Sequence, residues 1–333
     1  MTVSPVSDVR DISRLAYGFM ASKALFAALD VDLFGHVDRG INSTAELGQK
    51  LGFAENRLST LLAALTALGL LVHEDARYSN SPAAARYLVR GARDYFGDYY
   101  RLQIDKQIYP ALERLGDGLD GRPGQSIYSL IEDPDEAATF STAQHQGSSG
   151  PAVVLSRAVD LAGARMLLDV GGGTGAMSIA ICRRYGIDAT IIDLPTVIAL
   201  AKQFVADAGL EDRIKLIAGD ALQTEWPGGF DVVLMSYLLS AVGEKEINPL
   251  LQKARAALRR GGRLVIHDFM LDADRNGPRE AALWFLSYVT SRADTISFSA
   301  EELSDRLSQL GFEVTTFGVL IPGITKFMVA RVN

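Results

Sequence analysis

Residues 168–176 read LDVGGGTGA. The apolar run MLLDV at 166–170 enters four glycines within five positions, and a helical pattern of apolar residues follows. A strand that gives way to a glycine loop and then to a helix is the opening unit of a nucleotide-type α/β domain. The loop formally fits the spacing G-x-G-x-x-A, which alone is a weak signal for a dinucleotide. The acids around it carry more information.

Asp169 stands two positions before the first glycine, Asp193 closes a second strand-like run in IIDLP (191–195), and Asp220 closes a third in AGDAL (218–222). A pyrophosphate is negatively charged, and an acid leaning into its loop would repel it. S-adenosylmethionine (SAM) has no phosphate and carries an ammonium and a sulfonium. Three carboxylates at consecutive strand ends suit that ligand better. Asp193 is then placed to take the ribose hydroxyls, and Asp220 to reach the adenine amino group.

Working outward, the runs DATIID, IKLIAGD, FDVVLMS and GRLVIHDF follow MLLDV, with helical patterns between them. This alternation predicts an α/β fold with a parallel sheet covered on both faces. Two tail runs, Glu313–Phe317 and Thr325–Arg331, add strands, the last antiparallel. The first half is helical instead. From Ile12 to Phe34, apolar residues recur at threes and fours, predicting one long amphipathic helix. Ser43 and Thr44 are candidate N-caps with Glu46 near the third helical position, and a helix over Glu55–Leu68 and a hairpin-like stretch at 69–81 come next. Helix, turn, helix, hairpin is a winged-helix arrangement.

A winged helix suggests nucleic acid, but this one lacks the charge for it. Between Ile41 and Arg90 five Lys/Arg meet four Asp/Glu, and the would-be reading helix offers only Arg57. Net charge over all 333 residues is −7, so the module reads as a dimerisation or lid element. One cysteine, Cys182, excludes an internal disulfide, and four histidines make a protein-built metal site an unattractive reading. No apolar run is long enough to span a membrane and the start lacks signal-peptide features, so the expectation is a cytoplasmic protein without nucleic-acid or membrane partners. The expected domains are 1–92, a winged-helix dimerisation unit; 93–160, an aromatic-rich helical linker contributing to the substrate pocket (Tyr95, Phe96, Tyr99, Tyr100, Tyr109, Tyr128, Phe140), with a glycine-dense loop at 116–124; and 161–333, the SAM domain.

In order and spacing, DVGGGTG, IIDLP, AGDAL, FDVVLMS and LRRGGRLVIHDF resemble the motifs of class I SAM-dependent methyltransferases. With its winged-helix half, the chain is similar to the branch of plant-type and hydroxyneurosporene-type small-molecule O-methyltransferases. The resemblance implies a Rossmann-like seven-stranded sheet, a homodimer joined through the N-terminal helices, and a small-molecule acceptor, with S-adenosylhomocysteine as product. It implies that Asp169, Gly171, Gly172, Gly173 and Gly175 line the methionine part of SAM. Asp193 and Leu194 would hold the ribose and Asp220 and Ala221 the adenine, and Ser236, at the end of the fourth strand, would also bind the cofactor.

One feature of that branch is missing. Its helix after the fourth strand carries a His-Asp pair in which the histidine deprotonates the acceptor. Here the stretch is YLLSAV (237–242), with Ser240 and Ala241 in those places, and serine is no base at neutral pH without a partner. Three accounts follow. His145, within AQHQGSSGP (143–151), could serve as base; carbon could be methylated; or the acceptor could need no deprotonation. A thioether sulfur has a free lone pair and no proton. The stretch 143–151 and the aromatic linker resemble bacterial S-methyltransferases that convert 4-methylthio-2-hydroxybutyrate to 4-dimethylsulfonio-2-hydroxybutyrate on the route to dimethylsulfoniopropionate. That resemblance puts sulfur first and oxygen or carbon of an aromatic or polyketide-type acceptor, with His145 as base, as the alternative. Gln144, His145, Tyr237 and Arg292 would then bind the acceptor, with Trp284 and Tyr288 as an aromatic wall. His267, ending the fifth strand, faces the same cleft edge and reads equally as a site residue or as a supporting one. A SAM-binding regulator and a nicotinamide oxidoreductase are the competing classes; near-neutral charge in the winged helix speaks against the first, Asp169 and Asp220 against the second.

Overall fold

The computed structural model describes residues 5–124, 131 and 133–332; Tyr128 lies outside the described residues. The chain forms two compact units that divide between Gln107 and Ile108. The linker expected at 93–160 is thus shared: its first part folds with the N-terminal unit and its remainder with the sheet.

In the N-terminal unit, helix α1 (Val9–Asp30) starts at Asp8, whose side chain accepts from the Arg10 amide. It stops short of Phe34, because Asp32 takes a left-handed backbone (φ 51°) and a separate helix α2 (Leu33–Asp38) begins. Helix α3 (Thr44–Leu51) is capped reciprocally by Ser43 and Glu46, as the sequence suggests. Helix α4 (Glu55–Ala67), an antiparallel hairpin of β1 (Leu71–Glu74) and β2 (Arg77–Asn80), and α5 (Pro82–Tyr87) complete the winged helix. Leu29, Leu33, Phe34, Leu47, Leu58, Leu62 and Leu65 form its core. A π-helix over Tyr99–Ile108 is tied to α1 by Lys23 on Asp105 (2.6 Å) and Lys106 on Asp30 (3.1 Å), which explains why this part of the linker belongs here.

The outer face of α1 leaves Ile12, Leu15, Phe19 and Met20 half exposed or more. An apolar patch of this kind on a lone chain marks an association surface. Light scattering on the purified protein should give twice the mass of one chain. A clean monomer at micromolar concentration would leave that face without a role.

The C-terminal unit begins with two short helices, α6 (Tyr109–Leu112) and α7 (Leu115–Leu119), the latter inside the glycine-dense stretch. A β-carbon on Gly118 would lie 2.4 Å from the Val289 carbonyl, so only glycine permits this approach. The long helix α8 (Pro134–Ala158) precedes strands β3 (Met166–Val170), β4 (Asp188–Asp193), β5 (Ile214–Ala218), β6 (Phe230–Ser236), β7 (Leu258–Asp268), β8 (Phe312–Ile321) and β9 (Thr325–Val332). They form one sheet in the order β5-β4-β3-β6-β7-β9-β8, parallel except for β9. Strands β3, β4 and β6 are buried on both faces, so their apolar runs are continuous. Helices α9 (Ala176–Tyr185), α10 (Pro195–Asp207), α11 (Glu244–Ala257), α12 (Arg279–Val289) and α13 (Ala300–Gln309) connect them. Strand order reverses between β3 and β6. That switch point is where an open α/β sheet makes its crevice, at the carboxyl ends of the strands.

Candidate active site

A cavity of about 300 Å³ opens at the switch point. The ends of β3 to β6 supply Asp169, Gly171–Gly173, Asp193, Asp220, Ala221 and Ser236, and α8 covers it with Phe140, Ser141, Gln144 and Ser148. A larger groove beside Arg255 and Arg260 shares no lining residue with it and contains none of the predicted site residues. Most of the predicted site residues gather at the switch-point cavity.

The loop that begins it is shaped by its neighbours. Gly171 and Gly173 are left-handed (φ 66° and 58°), a conformation that other residues rarely hold. A β-carbon on Gly172 would sit 2.8 Å from the Asp169 carboxyl carbon. Asp193 accepts from the amides of Gly173 and Leu194, both at 2.7 Å. An amide that could have faced a phosphate is therefore turned to a carboxylate. Burial pushes Asp193 up to about 6 against these bonds.

Asp169 is fully buried. Its Oδ2 accepts from the Ser178 hydroxyl at 2.7 Å, while Oδ1 has no protein partner. Burial raises its pKa to about 7, with the neighbouring Asp193 adding to the effect. A buried acceptor left open on a cavity wall is costly unless a ligand completes it. A cation suits this wall and a pyrophosphate does not.

The predicted residues divide. Asp169, Gly171, Gly172, Gly173, Asp193, Leu194, Asp220, Ala221, Ser236, Gln144, Tyr237 and Arg292 all line this one cavity. Gly175, His145, Trp284 and Tyr288 are not among its lining residues. Gly175 is the N-cap of α9, and a β-carbon on it would lie 2.9 Å from the Ile191 side chain. The His145 ring stacks on Phe204 (4.1 Å between centroids), and Nδ1 meets the Thr174 hydroxyl at 2.7 Å. Burial lowers its pKa, so it is neutral at pH 7. Trp284 stacks on Phe269 and its Nε1 donates to the Tyr288 hydroxyl at 3.2 Å. Tyr288 in turn lies 3.3 Å from Ser240 Oγ. Both aromatics pack in or against the core, and among the described residues the aromatic side chains that line the cavity are Phe140 and Tyr237.

Ser240 is itself buried, with its amide donating to Asp268 Oδ2 at 3.0 Å. His267 is fully buried and held neutral, with a pKa near 3 because of that burial. Its Nδ1 meets Ser236 Oγ and its Nε2 meets Thr325 Oγ1, each at 2.9 Å. Of the two readings open for it, these contacts favour support of a cavity-lining serine from behind. Tyr237 is in the left-handed region (φ 58°), a strained state for a bulky residue, and its ring packs edge-on to His267. Arg292 is anchored by Glu246 (2.8 Å) and Asp294 (3.3 Å). Sequence reading does not single out Thr174, inside the glycine loop, Phe140, in the aromatic-rich stretch, or Ser178, in the first turn after the loop, as site residues.

The O-methyltransferase domain matches residues 120–313, and the O-methyltransferase dimerisation domain matches residues 13–90. The chain belongs to the O-methyltransferase family. It is 33% identical to the 3-hydroxy-5-methyl-1-naphthoate 3-O-methyltransferase of Streptomyces sahachiroi, over 94% of this chain and 92% of that one. It is 30% identical to the L-tyrosine C(3)-methyltransferase of Streptomyces lavendulae, over 93% and 88%. Among solved structures, PigF with SAH, from a methyl transferase of Serratia, superposes with a TM-score of 0.86 at 26% identity, covering 98% of this chain and 100% of that one. The protein is a SAM-dependent small-molecule methyltransferase, and the carboxylates of its cavity fit that cofactor. No described helix is long and apolar enough to cross a membrane, and no group of His, Cys, Asp or Glu among the described residues could hold a metal ion.

Proposed function

We propose that this enzyme methylates an aromatic or polyketide-type acceptor at a hydroxyl oxygen. One observation carries the reading. Among the described lining residues, the ionisable ones are Asp169, Asp193, Asp220, Tyr237 and Arg292, and none is a histidine. Such a site suits an acceptor that sheds its proton without a histidine base, as a phenol or enol conjugated with a carbonyl or carboxyl group does. Arg292, the cation of the lining, would face the resulting anion. The relatives support this choice: the oxygen of a hydroxynaphthoate and the ring carbon of tyrosine ortho to its hydroxyl can each attack the SAM methyl group as part of a phenolate. Neither supports the thioether acid that the sequence suggested first, and the resemblance to thioether S-methyltransferases has no counterpart in them.

In this reading Asp169 and the loop from Gly171 to Gly173 hold the methionine end of SAM, Asp193 with Leu194 the ribose, and Asp220 with Ala221 the adenine. When bound, SAM supplies a methyl group activated by its sulfonium. Gln144 and Tyr237 orient the acceptor, and α8 keeps water out, so that proximity supplies much of the acceleration. Purified protein should be screened with labelled SAM against a hydroxynaphthoic acid, tyrosine and a thioether acid. Transfer to the hydroxynaphthoate is expected. Label found only on sulfur would overturn the proposal.

His145→Gln tests the base directly. With its ring turned to Thr174 and Phe204, the substitution should change turnover at saturating substrates by less than about tenfold, roughly 1.4 kcal/mol of barrier. A loss of about 10²–10⁴-fold, the usual worth of a general base, would return His145 to that role.

A further inference from the structure

Lys253 lies on α11 and does not line the cavity, yet its ammonium is fully used by the segment that does. Nζ donates to the carbonyls of Ala221 (3.0 Å), Leu222 (2.6 Å) and Thr224 (3.1 Å). An ammonium has three N–H donors, and here each has its own acceptor within one short loop. Its charge also sits over the Trp226 ring at 5.7 Å, and Trp226 Nε1 donates to the same Ala221 carbonyl at 3.0 Å. From the other side, Asp220 Oδ1 accepts from the Leu222 amide at 2.8 Å, and the Asp220 carbonyl accepts from Gln223 and Thr224. The loop from Asp220 to Trp226 is thus closed around one cation. Gly219, Asp220, Ala221 and Leu222 form the cavity wall at this end.

We infer that Lys253 is a positioning residue for cofactor binding. By drawing three carbonyl oxygens onto α11, it fixes the wall against which the adenine end of SAM rests. It touches no reacting atom. Its effect therefore falls on cofactor affinity and not on the transfer step, because a preorganised wall lowers the ordering cost of binding. The inference rests on the assignment of this cavity to SAM.

Lys253→Met keeps most of the apolar stem beside Trp226 and removes the three donors. Calorimetric titration with SAM and with S-adenosylhomocysteine should show dissociation constants raised by about 10- to 100-fold, the scale of lost charge-assisted bonds. Turnover at saturating SAM should stay within about twofold of the parent, the signature of lost ground-state binding. Hydrogen exchange should accelerate at Leu222, Gln223 and Thr224, with the sheet unchanged. Trp226→Phe, which removes only one supporting donor, should give a smaller shift of the same sign and serves if Lys253→Met does not fold. Unchanged SAM affinity in a folded variant, or a fall in turnover with intact affinity, would overturn the inference. If Asp193→Ala weakens SAM and Lys253→Met does not, the clamp alone fails; if neither does, the cavity assignment itself fails.

Discussion

Asp193→Ala is expected to weaken SAM binding by about 2–3 kcal/mol, roughly 30- to 160-fold. Two effects add in the same direction. The carboxylate offers charge-assisted acceptors to ligand hydroxyls, which are stronger than neutral bonds. It also holds the Gly173 and Leu194 amides at 2.7 Å, and alanine would leave both without that acceptor. Gly173 is left-handed, so the loop has few alternative ways to satisfy its amide. Asp193→Asn separates the contributions: it keeps one oxygen as acceptor while losing the charge. Titration calorimetry on folded variants should rank the parent tightest, Asn between, and Ala weakest. Unaltered affinity in Asp193→Ala, or tight binding of a nicotinamide dinucleotide by the parent, would overturn the assignment of this cavity.

The parts of the site that were legible in sequence are those fixed by strand ends. A strand, its turn and the next helix leave little freedom in where residues at the carboxyl end of the strand point, so Asp169, Asp193, Asp220 and Ser236, all within two residues of a strand end, line one cavity. Helical residues are less constrained by spacing alone. Ser141, Gln144 and Ser148 on α8 line the cavity at steps of three and four, and His145 lies one residue on, about 100° around the helix. That single step turns it toward Phe204. Trp284 and Tyr288 do share a face, as four-apart residues must, but their neighbours Phe269 and Ser240 show that the face meets the core. Lys253 had no signal at all. A lysine on an amphipathic helix looks like surface until the loop folds onto it. The break at Asp32 escaped for a related reason: the apolar periodicity continues across it, while an Asp in the left-handed region carries no pattern of its own.

SAM affinity should fall steeply as pH drops below about 7, and Asp169 is the reason. In the ligand-free fold burial holds this acid at about 7, far above an ordinary aspartate, with one oxygen unpartnered. A raised carboxyl pKa means that the native state keeps a proton which the unfolded chain has lost. Ligand-free stability therefore declines as pH rises from about 4 to 7, the window between the unfolded and folded values. A cationic ligand reverses this, because it favours the ionised form and draws the pKa down. Binding is then strongest above 7, releases a proton near neutrality, and weakens by up to about tenfold per pH unit below it for one group. Asp193, raised to about 6, steepens the loss further once pH falls below that value. Between pH 8 and pH 5.5 the dissociation constant should rise by on the order of 30-fold or more. The thermal shift given by saturating SAM should grow from pH 5.5 to pH 8, and calorimetry at pH 6.5 in buffers of different ionisation enthalpy should register proton release. Asp169→Asn, which cannot ionise, should bind SAM weakly at every pH and release no proton from this site. A flat affinity profile for the parent would mean that Asp169 does not face the cation, and with it the reading of the orphaned Oδ1 as the cofactor's anchor would fail.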